Sequence, residues 1–109
     1  MAKLSREKGK RGEREVSALL RDWGFAARRG QQFSGGGDSP DVVHNIPGVH
    51  IEVKRVEQLN LTSALEQAKG DAPDNHLPVV FHKKNRGVWT VSLTADDFLK
   101  LMRGVHGPI

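Results

Sequence analysis

The chain has 109 residues, 37% hydrophobic and 28% charged, enough for one modest core in a mixed helix–strand protein. Cysteine is absent, which excludes disulfides and thiolate metal sites and suits a reducing cytoplasm. The longest clear apolar run, "VVF" at 79–81, is too short to span a bilayer, and "MAKLSREKGKRGERE" lacks the apolar core of a secretory signal. A soluble, cytoplasmic protein with no membrane partner is therefore expected.

The formal charge of +4 is unevenly spread. Residues 1–29 hold nine Lys/Arg against four acids, a local +5, so the other eighty residues carry −1. A basic segment on a near-neutral body marks a polyanion-binding surface, with Lys8, Lys10, Arg11, Arg14 and Arg29 as its candidate contacts. A solubilising basic tail is the plainer alternative.

In chain order, Ser5 is the expected cap of a first helix running to Asp22 or Trp23, weakened by Gly9 and Gly12. Val16, Leu19, Leu20 and Trp23 form an i, i+3, i+4, i+7 stripe that should pack on the rest of the protein. Glu13 lies about 20° from Leu20 on the helical wheel, inside that stripe, while Arg14 points away from it. A carboxylate facing a core is costly unless it is paired or bound to a cation. "GFAARR" reads as a turn into a short strand. "GQQFSGGGDSP" is a loop whose bare amides at Ser34–Asp38 could approach a phosphate closely, or serve only as a connector.

"PDVVHNIPGVHIEVK" (40–54) reads as a hairpin on a type II turn at Ile46-Pro47-Gly48-Val49. In that register Asp41 opposes Lys54 and Val43 opposes Glu52, all four side chains on one face, while Val49, Ile51 and Val53 face the core. Asp41 and Glu52 become diagonal neighbours with Cβ atoms roughly 7 Å apart, close enough to share a cation. A one-residue slip would put Asp41 on the other face. An ordinary solvated strand with a cross-strand ion pair uses the same residues.

"LTSALEQAKG" follows as a helix with Thr62 or Ser63 as cap and Gly70 as stop. "VVFHKKNRGVWTVSL" reads as two strands about a Lys-Asn-Arg-Gly turn, the first buried. "TADDFLKLMRG" is a last helix, capped by Thr94 and stopped at Gly104. The order α-β-β-β-α-β-β-α implies an α/β fold, a small mixed β-sheet flanked by helices. Trp89 and Phe98 read as core. His50 would share the face of Glu52 as a solvated strand histidine, or touch DNA.

Phosphodiester hydrolysis needs charge stabilised on the phosphoryl oxygens, a nucleophilic water and a partner for the leaving group. Hard Mg²⁺ takes one or two carboxylates and leaves the rest of its shell to substrate and water. Lys54, on the face of Glu52, could hold or help deprotonate that water and stabilise transition-state charge.

"PDVV…IEVK" resembles the PD-(D/E)XK nuclease signature, whose superfamily shares the α-β-β-β-α-β order and a restriction-endonuclease-like core. More closely, "KRGEREVSALLRDWGFAARR", "FSGGGDSPDVV" and "IEVK" resemble the archaeal-type Holliday junction resolvases and their phage relatives, from about Lys10 to Gln67. The resemblance implies a single nuclease domain over 1–109 that resolves four-way DNA junctions by paired phosphodiester hydrolysis in recombination and repair. It implies Mg²⁺, replaceable by Mn²⁺, on Asp41 and Glu52 with the Val53 carbonyl as a further ligand. Lys54 would be the catalytic lysine, Glu13 would complete or buttress the metal site, and Ser34 would lie near the scissile phosphate. Arg14 and Gln67 would contact DNA. The working unit would be a homodimer, and a phage origin would fit. Asp38 is an additional acid that could compete with Asp41, and the C-terminal third carries no matching motif. Two other readings use the same residues: a restriction- or repair-type nuclease, and a non-catalytic DNA-binding module.

Overall fold

The computed structural model describes the backbone of residues 2–30 and 41–106, and the side chains of 9–30 and 41–104. Eight elements follow in the expected order: α1 (Ala2–Asp22), β1 (Ala27–Arg29), β2 (Val42–His44), β3 (Val49–Arg55), α2 (Leu61–Asp71), β4 (Leu77–Lys83), β5 (Thr90–Ser92) and α3 (Ala95–His106). A mixed three-stranded sheet runs β3-β4-β5, with β3 parallel and β5 antiparallel to β4. β1 and β2 form a separate antiparallel ladder.

The expected hairpin does not form. The turn at Pro47-Gly48 is present, with Gly48 at φ +71°, but β2 pairs with β1 and β3 pairs along its length with β4. The cause lies in β3, which is buried from His50 to Val53 on both faces. A strand of that kind is satisfied by a parallel neighbour reached through a crossover helix, here α2, and the apolar β4 supplies it. Leu77 N–H donates to the Gly48 carbonyl at 2.7 Å and starts that ladder at the turn itself. Asp41 and Glu52 are therefore not diagonal partners of one ladder.

Alternation along the strands sends neighbouring residues to opposite helices. Val16 and Leu20 of α1 close over Ile51, Val53 and Val79, with Val42 arriving from β2. Ala64 and Ala68 of α2 pack on Val80 from the other face, their small side chains letting the helix approach closely. Gly12 has a similar role in α1: a Cβ there would stand 3.1 Å from Arg55 Cβ and 3.2 Å from Val53 Cγ1. The glycine read as weakening the helix is the one that lets it lie against β3. Ser17, buried between them, satisfies its hydroxyl by donating to the Glu13 carbonyl at 2.8 Å.

Several sequence expectations change. α1 begins at Ala2, so Ser5 lies within it. Trp23 is 77% exposed, not core. The helix ends at Asp22, and Gly24 at φ +93° carries the chain off the helical path before Trp23 can complete the stripe. Asn60, not Thr62 or Ser63, caps α2, its side chain accepting from Ser63 N–H. Gly70 and Gly104 lie inside their helices. Thr94 does cap α3, accepting from Asp97 N–H at 3.2 Å. Trp89 packs on the core, whereas Phe98 is 47% exposed because α3 rests only lightly on β4. No helix among the described residues is long and apolar enough to cross a membrane.

Candidate active site

Among the described residues β3 pairs with β4 on one side only, and Asp41, just before β2, approaches its other edge. An unpaired edge N–H needs an acceptor. The Asp41 carboxylate supplies it, taking the Val53 N–H on Oδ2 at 2.9 Å. Asp41 is fixed through its backbone too, its carbonyl accepting from Gly30 N–H at 2.9 Å at the end of the β1–β2 ladder. In an extended residue N–H and C=O point to the same edge, so the Val53 carbonyl also faces this side of the strand.

Glu52, next to Val53, turns to the α2 side and is only 5% exposed. Its Oε1 accepts from Gln67 Nε2 at 3.0 Å, and Lys54 Nζ stands 4.0 Å from the same oxygen. His50 Nε2 lies 3.7 Å from Oε2. His50 does share the face of Glu52, but at 6% exposure it is buried rather than solvated. The reason is that this face of β3 is covered by neighbouring segments, with Val42, His44 and His76 around the His50 ring.

Glu13 enters from α1. Its Oε2 accepts from Arg29 Nε at 2.9 Å, a partly buried ion pair that settles why an acid sits within the apolar stripe. Both Glu13 and Glu52 are near enough to act on Asp41. Burial does most to raise the Asp41 carboxyl; the Val53 N–H pulls it down, the Glu52 and Glu13 charges push it up, Lys54 offsets part of this, and the result is about 7.

The structure thus gathers Glu13, Asp41, Glu52, Val53 and Lys54 around the free edge and C-terminal half of β3. Gln67 and Arg29 also arrive, each donating to one of the carboxylates. Arg11 and Arg14 are exposed on α1, and Lys10 is half-buried. Ser34, Asp38 and the side chain of Lys8 lie outside the described residues. Among the described residues no three carboxylate or imidazole side chains form a ready-made metal cluster. The donor set does suit a hard divalent ion of the Mg²⁺ type, which takes one or two carboxylates and leaves the remaining positions to a carbonyl, water and phosphate. Repulsion among crowded acids, visible in the raised Asp41, is what such a cation relieves.

Sequence reading missed a second ionic group on the opposite face of β3. Arg55, buried, stands 3.0 Å from Glu15 Oε2 by its Nε and donates from Nη1 to Asn85 Oδ1 at 2.9 Å. Lys83 Nζ approaches Glu15 Oε1 at 3.5 Å. The available signal was strand alternation, which puts Arg55 on the core face with Ile51 and Val53 and so demands a carboxylate partner.

The profile of the archaeal Holliday junction resolvase (Hjc) family matches residues 4–70, more than half of the chain. Among solved structures, the Holliday junction resolvase Hjc of Archaeoglobus fulgidus, an archaeal hyperthermophile, is similar at TM-score 0.52 and 28% identity, covering 79% of this chain and 72% of that one. No curated protein matches the sequence. The matched segment contains nearly all of α1, the β1–β2 ladder, β3 and nearly all of α2, the elements that bring the acids and the lysine together. By that profile, and with a fold like that of a resolvase, the chain belongs to the archaeal Holliday junction resolvase family.

Proposed function

We propose that this resolvase-family nuclease is a Mg²⁺-dependent endonuclease that nicks two strands of a four-way DNA junction, working as a homodimer in the cytoplasm. The observation that carries the reading is that the family match at 4–70 spans the whole ordered set Glu13, Ser34, Asp41, Glu52 and Lys54. Asp41, Glu52 and the Val53 carbonyl would hold the metal, with Mn²⁺ able to substitute. A metal held there would supply charge neutralisation at the phosphoryl oxygens and a more acidic water.

The chain's own groups do the rest. Asp41 is kept in place by the Val53 N–H and by the β1–β2 ladder behind it. Lys54 Nζ stands 4.0 Å from Glu52 Oε1, paired in charge but not hydrogen-bonded to it, so its N–H groups would hold the attacking water and stabilise the developing negative charge. Glu13 buttresses the site from α1 while Arg29 balances its charge. Arg29 Nε and one N–H of Gln67 donate to Glu13 and Glu52, so we assign both first to holding carboxylates. Lys8, Lys10, Arg11 and Arg14 would take the phosphate backbone, and Ser34 would sit near the scissile phosphate. The dimer is supported by the apolar surface of the β5–α3 region, where Val88, Val91, Phe98 and Leu99 are exposed.

The test is a labelled four-way junction incubated with the protein and Mg²⁺, with product ends mapped on every strand. Paired nicks in two opposed strands, preferred over flap and linear duplex, are expected. Tight junction binding with no cleavage under Mg²⁺ or Mn²⁺ would overturn the enzymatic reading. Equal cutting of linear duplex would replace junction selectivity by a restriction- or repair-type activity.

A further inference from the structure

His50 is buried in β3, and its Nε2 has no hydrogen-bond partner. An unsatisfied buried imidazole nitrogen is destabilising, and nothing in the packing of β3 calls for a histidine there. Valine or isoleucine would fill the position beside Ile51 without that cost. The neighbouring acceptor is Glu52 Oε2, 3.7 Å away, beyond a hydrogen bond as it stands. Strand alternation holds both side chains on one face.

Glu52 itself is half-anchored. Gln67 fixes Oε1 at 3.0 Å, and Lys54 stands near the same oxygen, while the carboxylate plane turns about a soft sp³–sp² torsion. Closing the 3.7 Å gap to a hydrogen bond requires Oε2 and Nε2 to approach by under about 1 Å. The ring is not locked either, since it also lines a cavity of about 200 Å³ with Val42, His44 and His76.

We propose that His50 is a positioning residue for Glu52: its Nε2–H donates to Oε2 and, with Gln67 on Oε1, fixes the carboxylate plane that meets the metal. The proposal rests on the reading of Glu52 as a metal ligand. Carboxylates that bind metals are commonly held by such outer hydrogen bonds, and losing one costs about 10–100-fold in metal affinity or activity. Gln is the conservative replacement, because its amide nitrogen falls near the place of Nε2. Leu keeps the volume and removes the donor.

The experiment compares wild type, His50→Leu, His50→Gln and Asp41→Asn in three measurements. These are Tm without metal, the Tm rise on adding Mn²⁺ to DNA-free protein, and the Mg²⁺ concentration for half-maximal junction cleavage. His50→Leu should match or exceed the wild-type Tm without metal. Its Mn²⁺-induced rise should shrink, and its Mg²⁺ requirement should increase about 10–100-fold with kcat at saturating metal far less affected. His50→Gln should stay close to wild type in all three. A His50→Leu protein with unchanged Mn²⁺ response and Mg²⁺ requirement overturns the proposal, as does a His50→Gln protein as impaired as His50→Leu. Should His50→Leu not fold, His50→Met, which also lacks the donor, takes its place with the same expected and overturning results. If wild type and Asp41→Asn show the same Mn²⁺ response and neither cleaves, the metal-site reading falls, and the role of His50 falls with it.

Discussion

The Asp41 carboxylate accepts the backbone N–H of Val53 at 2.9 Å, which joins the end of the β1–β2 ladder to the open edge of β3. One side chain therefore caps a sheet edge and also faces two other acids, Glu52 and Glu13. The first task stabilises the fold and the second opposes it. Their balance depends on pH.

Burial and the neighbouring carboxylates raise Asp41 from 3.8 to about 7. Between those values the folded state binds more protons than the unfolded one, so stability is fully present below about 4 and is lost as pH rises through about 7. Asp41→Asn keeps an acceptor for Val53 N–H but cannot ionise. Its Tm should equal wild type at pH 4 and exceed it at pH 8 by on the order of 5 °C, corresponding to about 1–2 kcal/mol after solvent screening of a half-buried group. Junction cleavage should fall about a thousandfold, near 4 kcal/mol, while junction binding is retained. Thermal melts at the two pH values and a gel-shift assay check both halves. A variant no more stable than wild type at pH 8 would refute the charge argument.

Gly12 and Gly9 make a matched pair. A Cβ at Gly12 would press on Arg55 Cβ and Val53 Cγ1, whereas nothing lies within 4 Å of one at Gly9. Gly12→Ala should destabilise the protein by about 1–3 kcal/mol through forced separation of α1 from β3. Gly9→Ala should stabilise it by roughly 0.5–1 kcal/mol through helix propensity. Urea unfolding of the two variants measures this directly, and opposite signs are the expected result.

The reach of the sequence can be judged from these same residues. Element order was legible throughout, because period 3.6 and period 2 show in single stretches such as "EVSALL" and "VVF". The pairing of β3 was not, because "IPGV" is a sound turn whether or not its flanking strands pair, and only β4, some thirty residues on, decides the matter. Asp41, Glu52 and Lys54 still come together, since edge capping brings Asp41 to Val53 where a hairpin would have brought it to Glu52's diagonal. Trp23 and Phe98 misled because hydrophobicity alone does not separate a core from a surface awaiting a partner.

That surface yields the next expectation. Phe98 and Leu99 are exposed near the start of α3, following exposed Val88 and Val91. If this region closes the dimer, Phe98→Asp with Leu99→Asp should convert it to a folded monomer of half the mass by light scattering. Each active site remains intact in such a monomer, so single nicks should persist while paired, coordinated cutting is lost. Dimers of unchanged stability in the double variant would move the interface elsewhere, for instance to the exposed Trp23 and Phe25.

Gln67 separates two roles that the family resemblance alone leaves mixed. Its amide donates one N–H to Glu52 Oε1 at 3.0 Å, which ties the side chain to the carboxylate rather than to a DNA phosphate. Gln67→Ala should raise the Mg²⁺ needed for half-maximal cleavage about 10–100-fold and leave junction affinity, measured without metal, within about twofold. The salt dependence of binding should not change, since no cation is removed. Arg14→Ala, by contrast, should flatten the plot of log K against log salt by about 0.9 per subunit and weaken binding without altering the metal requirement. Gln67→Glu is harsher than Gln67→Ala, because it sets a second carboxylate against buried Glu52 and replaces a donor by an acceptor. A Gln67→Ala variant that loses junction affinity at an unchanged Mg²⁺ requirement would return this residue to the DNA surface.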